Sequence, residues 1–151
     1  MKDNSVTYNE FLKCLPGISE EEFQILNSYL TYRIFPRDRV VMQEGDPGDF
    51  MGFLIKGKMA IRKETSFDGK YILIAILEKG SIFGEISVVE PNPRTATVSA
   101  LEECHALVLS HENAQKVISA YPELGIKLLS KILRVVGRRL QRSAARIADV
   151  L

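Results

Sequence analysis

The chain has 151 residues, 46% of them apolar and 26% charged, which is the ordinary size of one domain and enough to bury a core. No run approaches the roughly 20 uncharged apolar residues of a membrane span, and the opening MKDNSVTYNE is too polar for a secretory signal. The net charge of +1 hides an asymmetry: residues 1–122 carry 13 Lys/Arg against 17 Asp/Glu, whereas residues 123–151 carry seven against two.

A basic C-terminal segment suits either a solvated helix face or an anionic partner. The two cysteines, Cys14 and Cys104, make neither a disulfide framework nor a metal-ligand spacing. A soluble, cytoplasmic protein is the expectation.

In chain order, a turn or short helix around Tyr8–Leu15 ends at Pro16-Gly17. Ser19 followed by Glu22 fits a capping box, and Phe23, Leu26 and Leu30 follow at helical spacing. From Tyr32 to about Ser110 the period changes to two. β-rich runs recur at Arg39–Met42, Phe50–Ile55, Met59–Lys63, Tyr71–Leu77, Ala96–Ala100 and Ala106–Leu109. Between them stand the turn residues Gly45-Asp46-Pro47-Gly48, Lys56-Gly57-Lys58, Asp68-Gly69 and Lys79-Gly80. Asp68-Gly69 between two such runs is a hairpin signal. Helical spacing returns from about Glu112 to the end, interrupted at Pro122.

The expected fold is α+β. A β-barrel or jelly roll of about seven or eight antiparallel strands is flanked by an N-terminal helix and by C-terminal helices, the last of them long. One domain accounts for residues 1–151: a helical segment at 1–31, the barrel at 32–110 and helices at 111–151.

Chemistry concentrates in GSIFGEISVVEPNPRTATVSA, residues 80–100. Gly84 permits a tight turn, and Ile86 and Ser87 can begin a helical turn whose successive N–H groups cradle an anion. Arg94 offers a planar fork of donors that suits phosphate oxygens, and Thr95 adds a hydroxyl. Glu85 would repel a phosphate and is better suited to accepting sugar hydroxyls. The same residues also fit a plain turn at Gly84 with a surface ion pair between Glu85 and Arg94.

The order of these residues resembles the phosphate-binding cassette of the cyclic nucleotide-binding domain family. Phe83-Gly84-Glu85-Ile86-Ser87-Val88 and Pro93-Arg94-Thr95-Ala96-Thr97-Val98 match its two halves. Gly45-Asp46, Gly48-Asp49, Phe53, Gly57 and Gly80 look like the family's barrel turns and strands. Tyr121-Pro122-Glu123-Leu124 looks like the joint between its last helices. Gly52 departs from the pattern, standing where an aromatic residue is more usual, and is expected to loosen its strand while leaving the site alone.

The resemblance implies that Glu85 accepts the ribose 2′-hydroxyl. It implies too that Arg94 pairs with the cyclic phosphate, helped by the amides of Ile86 and Ser87 and the Thr95 hydroxyl. Thr95 beside the arginine keeps cGMP possible, and cAMP is favoured. For the purine, strand parity puts Ile61 and Ile74 on the side of Met59, Ile72 and Ile76, where they form either an apolar bed for the base or ordinary core. In the family the last helix often lids the base. Arg134, Arg138 and Arg139 fall in that zone, with Arg138 and Arg139 the candidates.

After Pro122 about 28 residues can run as one helix of roughly 42 Å. Ile126, Leu133, Leu140 and Ile147 fall at heptad position a, with Leu129, Val136, Ser143 and Val150 at d. A second stripe of Leu124, Leu128, Ile132 and Val135 suits packing on the barrel. The expectation is a parallel homodimer through Ile126, Leu129, Leu133, Val136, Leu140 and Ile147, as in the catabolite activator branch of the family. A helix folded back on its own subunit is the alternative.

No catalytic or metal-binding residue is assigned. A cupin-type metal enzyme needs several converging ligands, and only His105 and His111 exist, six apart. In relatives that read DNA a helix-turn-helix follows the long helix. The sequence ends at Leu151, so sequence-specific DNA binding is not expected. The leading expectation is therefore a non-enzymatic cyclic nucleotide-binding module that signals through its C-terminal helix to a dimer partner or an unidentified effector protein. The alternative is a dimerisation or scaffold domain that has lost nucleotide binding.

Overall fold

The computed structural model describes residues 5–150. Two short helices open it, α1 (Tyr8–Phe11) and α2 (Glu20–Asn27), each begun by a capping box. Thr7 Oγ1 accepts from the Glu10 N–H at 3.2 Å while Glu10 Oε2 accepts from the Thr7 N–H at 2.8 Å. Ser19 and Glu22 repeat the exchange at 3.1 and 3.0 Å. These reciprocal bonds satisfy donors that the first turn of a helix leaves open, which lets such short helices persist.

Eight strands follow: β1 (Thr31–Phe35), β2 (Val40–Met42), β3 (Phe50–Lys56), β4 (Met59–Glu64), β5 (Tyr71–Leu77), β6 (Ile82–Phe83), β7 (Thr97–Ala100) and β8 (Cys104–Ser110). They form two antiparallel four-stranded sheets, β1-β8-β3-β6 and β2-β7-β4-β5. The Asp68-Gly69 turn joins β4 to β5, with Gly69 at φ 74°. A single 3₁₀ turn, Glu85–Val88, separates β6 from β7. The chain ends in α3 (His111–Ala120) and α4 (Pro122–Val150), with Pro122 at the first helical position, where its missing N–H costs nothing. The jelly roll and its flanking helices are therefore as the sequence indicates, with β1 and β6 added to the six strand runs read from it.

Strand alternation builds two cores from one sheet. Met51, Phe53 and Ile55 of β3 and Leu107 and Leu109 of β8 point outward to Phe11, Phe23, Leu26, Val117, Leu128 and Ile132 on the helices. Leu54 of β3 and Ala106 of β8 point the other way, to Met59, Leu77, Phe83 and Val98 between the sheets. β3 is buried on both faces, which is why it reads FMGFLIK, almost without a polar residue. Phe11 anchors the helical layer, its ring 4.9 Å from Phe53 and 5.1 Å from Phe23. Cys14 and Cys104 are buried free thiols. Burial pushes the Cys14 pKa up to about 12, keeping it protonated and unreactive near neutral pH.

Two expectations need correction. Ile61 and Ile74 do pack in the cluster with Met59, but Ile72 and Ile76, expected beside them, do not: Ile76 pairs with Ala60, on the other face of β4. Met59 pairs with Leu77 and Ile61 with Ala75, whereas Arg62 pairs with Leu73, so Ile74 is the extra residue. Met59 and Ile61 are buried; Ile72 and Ile76 are 56% and 45% exposed. Gly52, expected to loosen its strand, does the reverse. It lies directly opposite Phe83, whose ring covers it so closely that a Cβ would fall 2.1 Å from Cζ. The aromatic group missing at position 52 is supplied across the strand pair by Phe83.

Gly52→Ala should therefore cost about 1–3 kcal/mol by overpacking, read as a lowered thermal midpoint in circular dichroism. An unchanged midpoint would mean that the Phe83 ring moves aside freely.

Candidate functional site

The site forms where β6 ends. Phe83 is fully buried and delivers the chain to Gly84, whose φ of 65° lies in the left-handed region. A Cβ on Gly84 would come within 2.5 Å of Met42 Cε and 2.9 Å of the Phe50 carbonyl oxygen. Only glycine fits both the backbone and the space. The 3₁₀ turn Glu85–Val88 follows, and Ser87 Oγ, inside it, donates back to Gly84 O at 2.7 Å.

Two residues of α3 hold this turn in place. His111 Nδ1 lies 2.5 Å from Ser87 O, and since a carbonyl only accepts, that nitrogen carries the proton. Gln115 Nε2 donates to Val88 O at 2.7 Å. In the sequence alone His111 stands out only as a potential metal ligand. The signal that would have found both is their i, i+4 spacing at the start of a helix.

Arg94 is 9% exposed. Its Nη2 donates to Phe50 O at 2.6 Å and its Nη1 to Gly84 O at 3.4 Å, and the guanidinium lies 4.8 Å from the centre of the Phe50 ring. Backbone bonds Arg94 N–H to Asp46 O at 2.8 Å and Gly45 N–H to Arg94 O at 2.9 Å fasten it to the 45–48 turn. Burial pulls its pKa below the usual guanidinium value, opposed by the charges of Asp49, Glu85 and Asp46. Among the described residues no carboxylate lies within 4.0 Å of it. Its partners are carbonyl dipoles and a ring, so the buried positive charge is uncompensated at close range.

Glu85 is 5% exposed and is already paired. Arg139 of α4 reaches it through Nη1, and its Nη2 donates to Ile82 O at 2.8 Å. The surface ion pair between Glu85 and Arg94 that the sequence also allowed does not form. Arg94 faces the barrel turns, and Glu85 faces the last helix.

A cavity of about 190 Å³ opens between them. Phe83, Gly84, Glu85, Ile86, Ser87, Arg94 and Thr95 all line it, with Ile61 and Arg139. Ile86 and Thr95 stand at its exposed lip. Lys63 Nζ donates to Thr95 O at 2.7 Å and to Glu44 Oε1 at 2.8 Å, steadying that strand entry. Two sequence candidates fall outside. Ile74 sits at the β5 bulge and does not line the cavity, and Arg138, one helical step from Arg139, faces a different cleft. The Ser87 N–H, expected to point at an anion, turns back to Gly84 O at 3.3 Å because the 3₁₀ turn closes on it. Of the two histidines, His105 lies away from the cavity, bonded to Tyr32 and to Glu103.

With this geometry in view, the relationships of the chain are clear. The profile of the cyclic nucleotide-binding domain matches residues 32–121. The chain is 31% identical over 135 residues to the CRP-like cAMP-activated global transcriptional regulator of Mycobacterium tuberculosis, covering 89% of this chain and 58% of that protein. It is 27% identical over 118 residues to the cyclic AMP receptor protein of Thermus thermophilus, covering 78% and 54%. A crystal structure of a cyclic nucleotide-binding domain from Methylobacillus flagellatus superposes with a TM-score of 0.87 at 29% identity, covering 95% of this chain and 83% of that one. The protein belongs to the cyclic nucleotide-binding domain family. The chain spans little more than half the length of the two regulators. Among the described residues no helix is long and apolar enough to cross a membrane.

The Glu85–Arg139 pair makes its own prediction. Arg139→Met strands a buried carboxylate and should cost about 1–3 kcal/mol. Adding Glu85→Gln should restore part of that loss. Denaturant unfolding of the two single variants and the double variant measures the coupling, and strict additivity would show that the pair contributes nothing.

Proposed function

We propose that this chain is a non-enzymatic cyclic nucleotide-binding regulatory module, acting as one unit, with cAMP preferred to cGMP. The observation that carries the reading is Arg94: a buried guanidinium lining a cavity, held by carbonyls and, among the described residues, without a close carboxylate. An anionic phosphate supplies the missing counter-charge. In this reading the cyclic phosphate sits on Arg94 and the Ile86 amide, with the Thr95 hydroxyl beside it. The Ser87 amide joins only if the 3₁₀ turn relaxes. Glu85 takes the ribose 2′-hydroxyl, and Ile61 and Arg139 border the base. Glu85 must exchange its bond to Arg139 for the ribose, so ligand entry and the position of α4 are linked through one carboxylate. The relatives named for cAMP support that nucleotide, while Thr95 keeps cGMP in competition.

Calorimetric titration with cAMP, cGMP and 5′-AMP tests this reading. Micromolar binding of one cyclic nucleotide, no heat from 5′-AMP and at least about 30-fold weaker binding by Arg94→Ala are expected, since losing a desolvated charge partner costs about 2–5 kcal/mol. Silence from all three, with a folded protein, favours a scaffold that has lost its ligand.

The output surface in this proposal is α4. Leu124, Leu128 and Ile132 are buried against the core, whereas Ile126, Leu133, Leu140 and Ile147 are between 61% and 73% exposed. Leu129 and Val136 are half-buried beside them. Apolar residues kept at heptad spacing on the uncovered face fit a second copy of the same helix, packed in parallel. Binding at the cassette then reaches that copy, or an effector protein, through Arg139. Sedimentation equilibrium should find a dimer that Leu133→Glu with Leu140→Glu converts to folded monomer. A dimer that survives both charges would remove α4 from the interface.

A further inference from the structure

A second cleft lies on the opposite side of Arg139 from the cassette. Its walls are the end of β5, the turn at Glu78–Ser81 and α4, and its volume is about 390 Å³, roughly twice that of the cassette cavity. Lys13, Lys79, Lys131, Arg138 and Arg142 line it together with Arg139. Glu78 is the one acid in its lining and is turned toward Lys58 at 3.8 Å. Among the described residues none of the first five cations has an ion-pair partner. Lys131 stands half-buried, flanked by Val135 and Ile82. Burial, and after it the charge of Arg138, draws its pKa down.

Five cations crowded round a concavity repel one another unless an anion lies between them. A solvated basic face would spread outward and find acids at helical spacing, as Lys116 does with Glu112. Here Lys131, Arg138 and Arg142 lie seven and four residues apart along one side of α4, and Lys13 and Lys79 face them from other elements. Concavity and the recessed Lys131 favour a small ligand over a flat polyanionic surface, which would meet Arg138 and Arg142 but not the floor.

We propose that this cleft is a binding site for a small, multiply charged phosphate compound, a polyphosphate or a bisphosphate ester, distinct from the cassette. Arg139 is the wall between the two cavities. An anion in the cleft competes with Glu85 for its guanidinium and so adjusts how readily Glu85 is released. That coupling rests on the nucleotide reading above; the cleft itself does not.

Pyrophosphate is the probe, titrated calorimetrically at constant ionic strength. Binding below about 1 mM is expected in the unmodified chain, weakened about 10-fold or more by Lys131→Gln or Arg142→Gln. Lys116→Gln removes one positive charge from α3, outside the cleft, and should change it less than about twofold. Pyrophosphate binding must also persist in Arg94→Ala, or in Arg94→Lys should the first variant not fold, which separates failure of the cleft from failure of the cassette. Sulfate binding as well as pyrophosphate, an equal loss with Lys116→Gln, or abolition by the Arg94 variants overturns the site. Stronger binding of duplex DNA, indifferent to Lys131→Gln, would assign the charges to a polyanion surface and also overturn it. The coupling is read by repeating the cyclic nucleotide titration with pyrophosphate saturating: a changed dissociation constant supports it and an unchanged one overturns the link through Arg139.

Discussion

Arg94 is the point on which the cassette depends. Taking a guanidinium out of water is costly, and among the described residues no carboxylate within ion-pair reach offsets it. What holds it are carbonyl oxygens and a ring: Phe50 O at 2.6 Å, Gly84 O at 3.4 Å and the face of Phe50. Those partners belong to the start of β3 and the end of β6, while its own backbone is bonded to the 45–48 turn. Arg94 thus ties its own loop to residues 45–50 and to the end of β6. It leaves a positive potential aimed into the cavity they enclose.

The glycines and aromatics around it follow from this arrangement. Gly84 has to be glycine because its Cβ would strike Met42, Arg94 and the Phe50 carbonyl. Phe83, immediately before it, lies on Gly52 and spans the pair β3–β6. On the far side, His111 and Gln115 hold the carbonyls of Ser87 and Val88. The cassette turn is therefore clamped between the barrel and α3. α3 in turn packs against α4.

α4 itself changes character along its length. Through Ile132 it is part of the core. Beyond Arg139 every described residue is exposed, and the contacts back to the barrel are polar: Arg139 to Glu85 and Ile82 O, and Arg146 to Ile74 O at 3.1 Å. Apolar packing is non-directional and dense, whereas a guanidinium on a carboxylate is a single exchangeable bond. The helix is rigidly rooted at one end and tethered by arginines at the other.

Much of this was legible in the residues themselves. Capping boxes, the Asp68-Gly69 hairpin and the alternating runs are local signals, carried by side chains within a few residues of one another. The order of glycine, acid and arginine from Phe83 to Thr95 is likewise contiguous, and it identified the family and the seven cassette residues that line the cavity. β6 escaped notice because two residues, Ile82 and Phe83, carry no period. Parity alone puts Ile76 with Met59, whereas the register of β5 on β4, which no local signal carries, pairs it with Ala60.

What tertiary structure alone decided are the relations between segments far apart in the chain. Gly52 under the Phe83 ring, His111 on Ser87 O, and Arg139 rather than Arg138 or Arg134 on Glu85 each join residues more than 20 positions apart. Local sequence determines which backbone forms are allowed and which faces are apolar. It does not determine which arginine on a helix meets a given carboxylate, because that depends on the rotation of the helix. Rotation is set by how Leu124, Leu128 and Ile132 seat in the core.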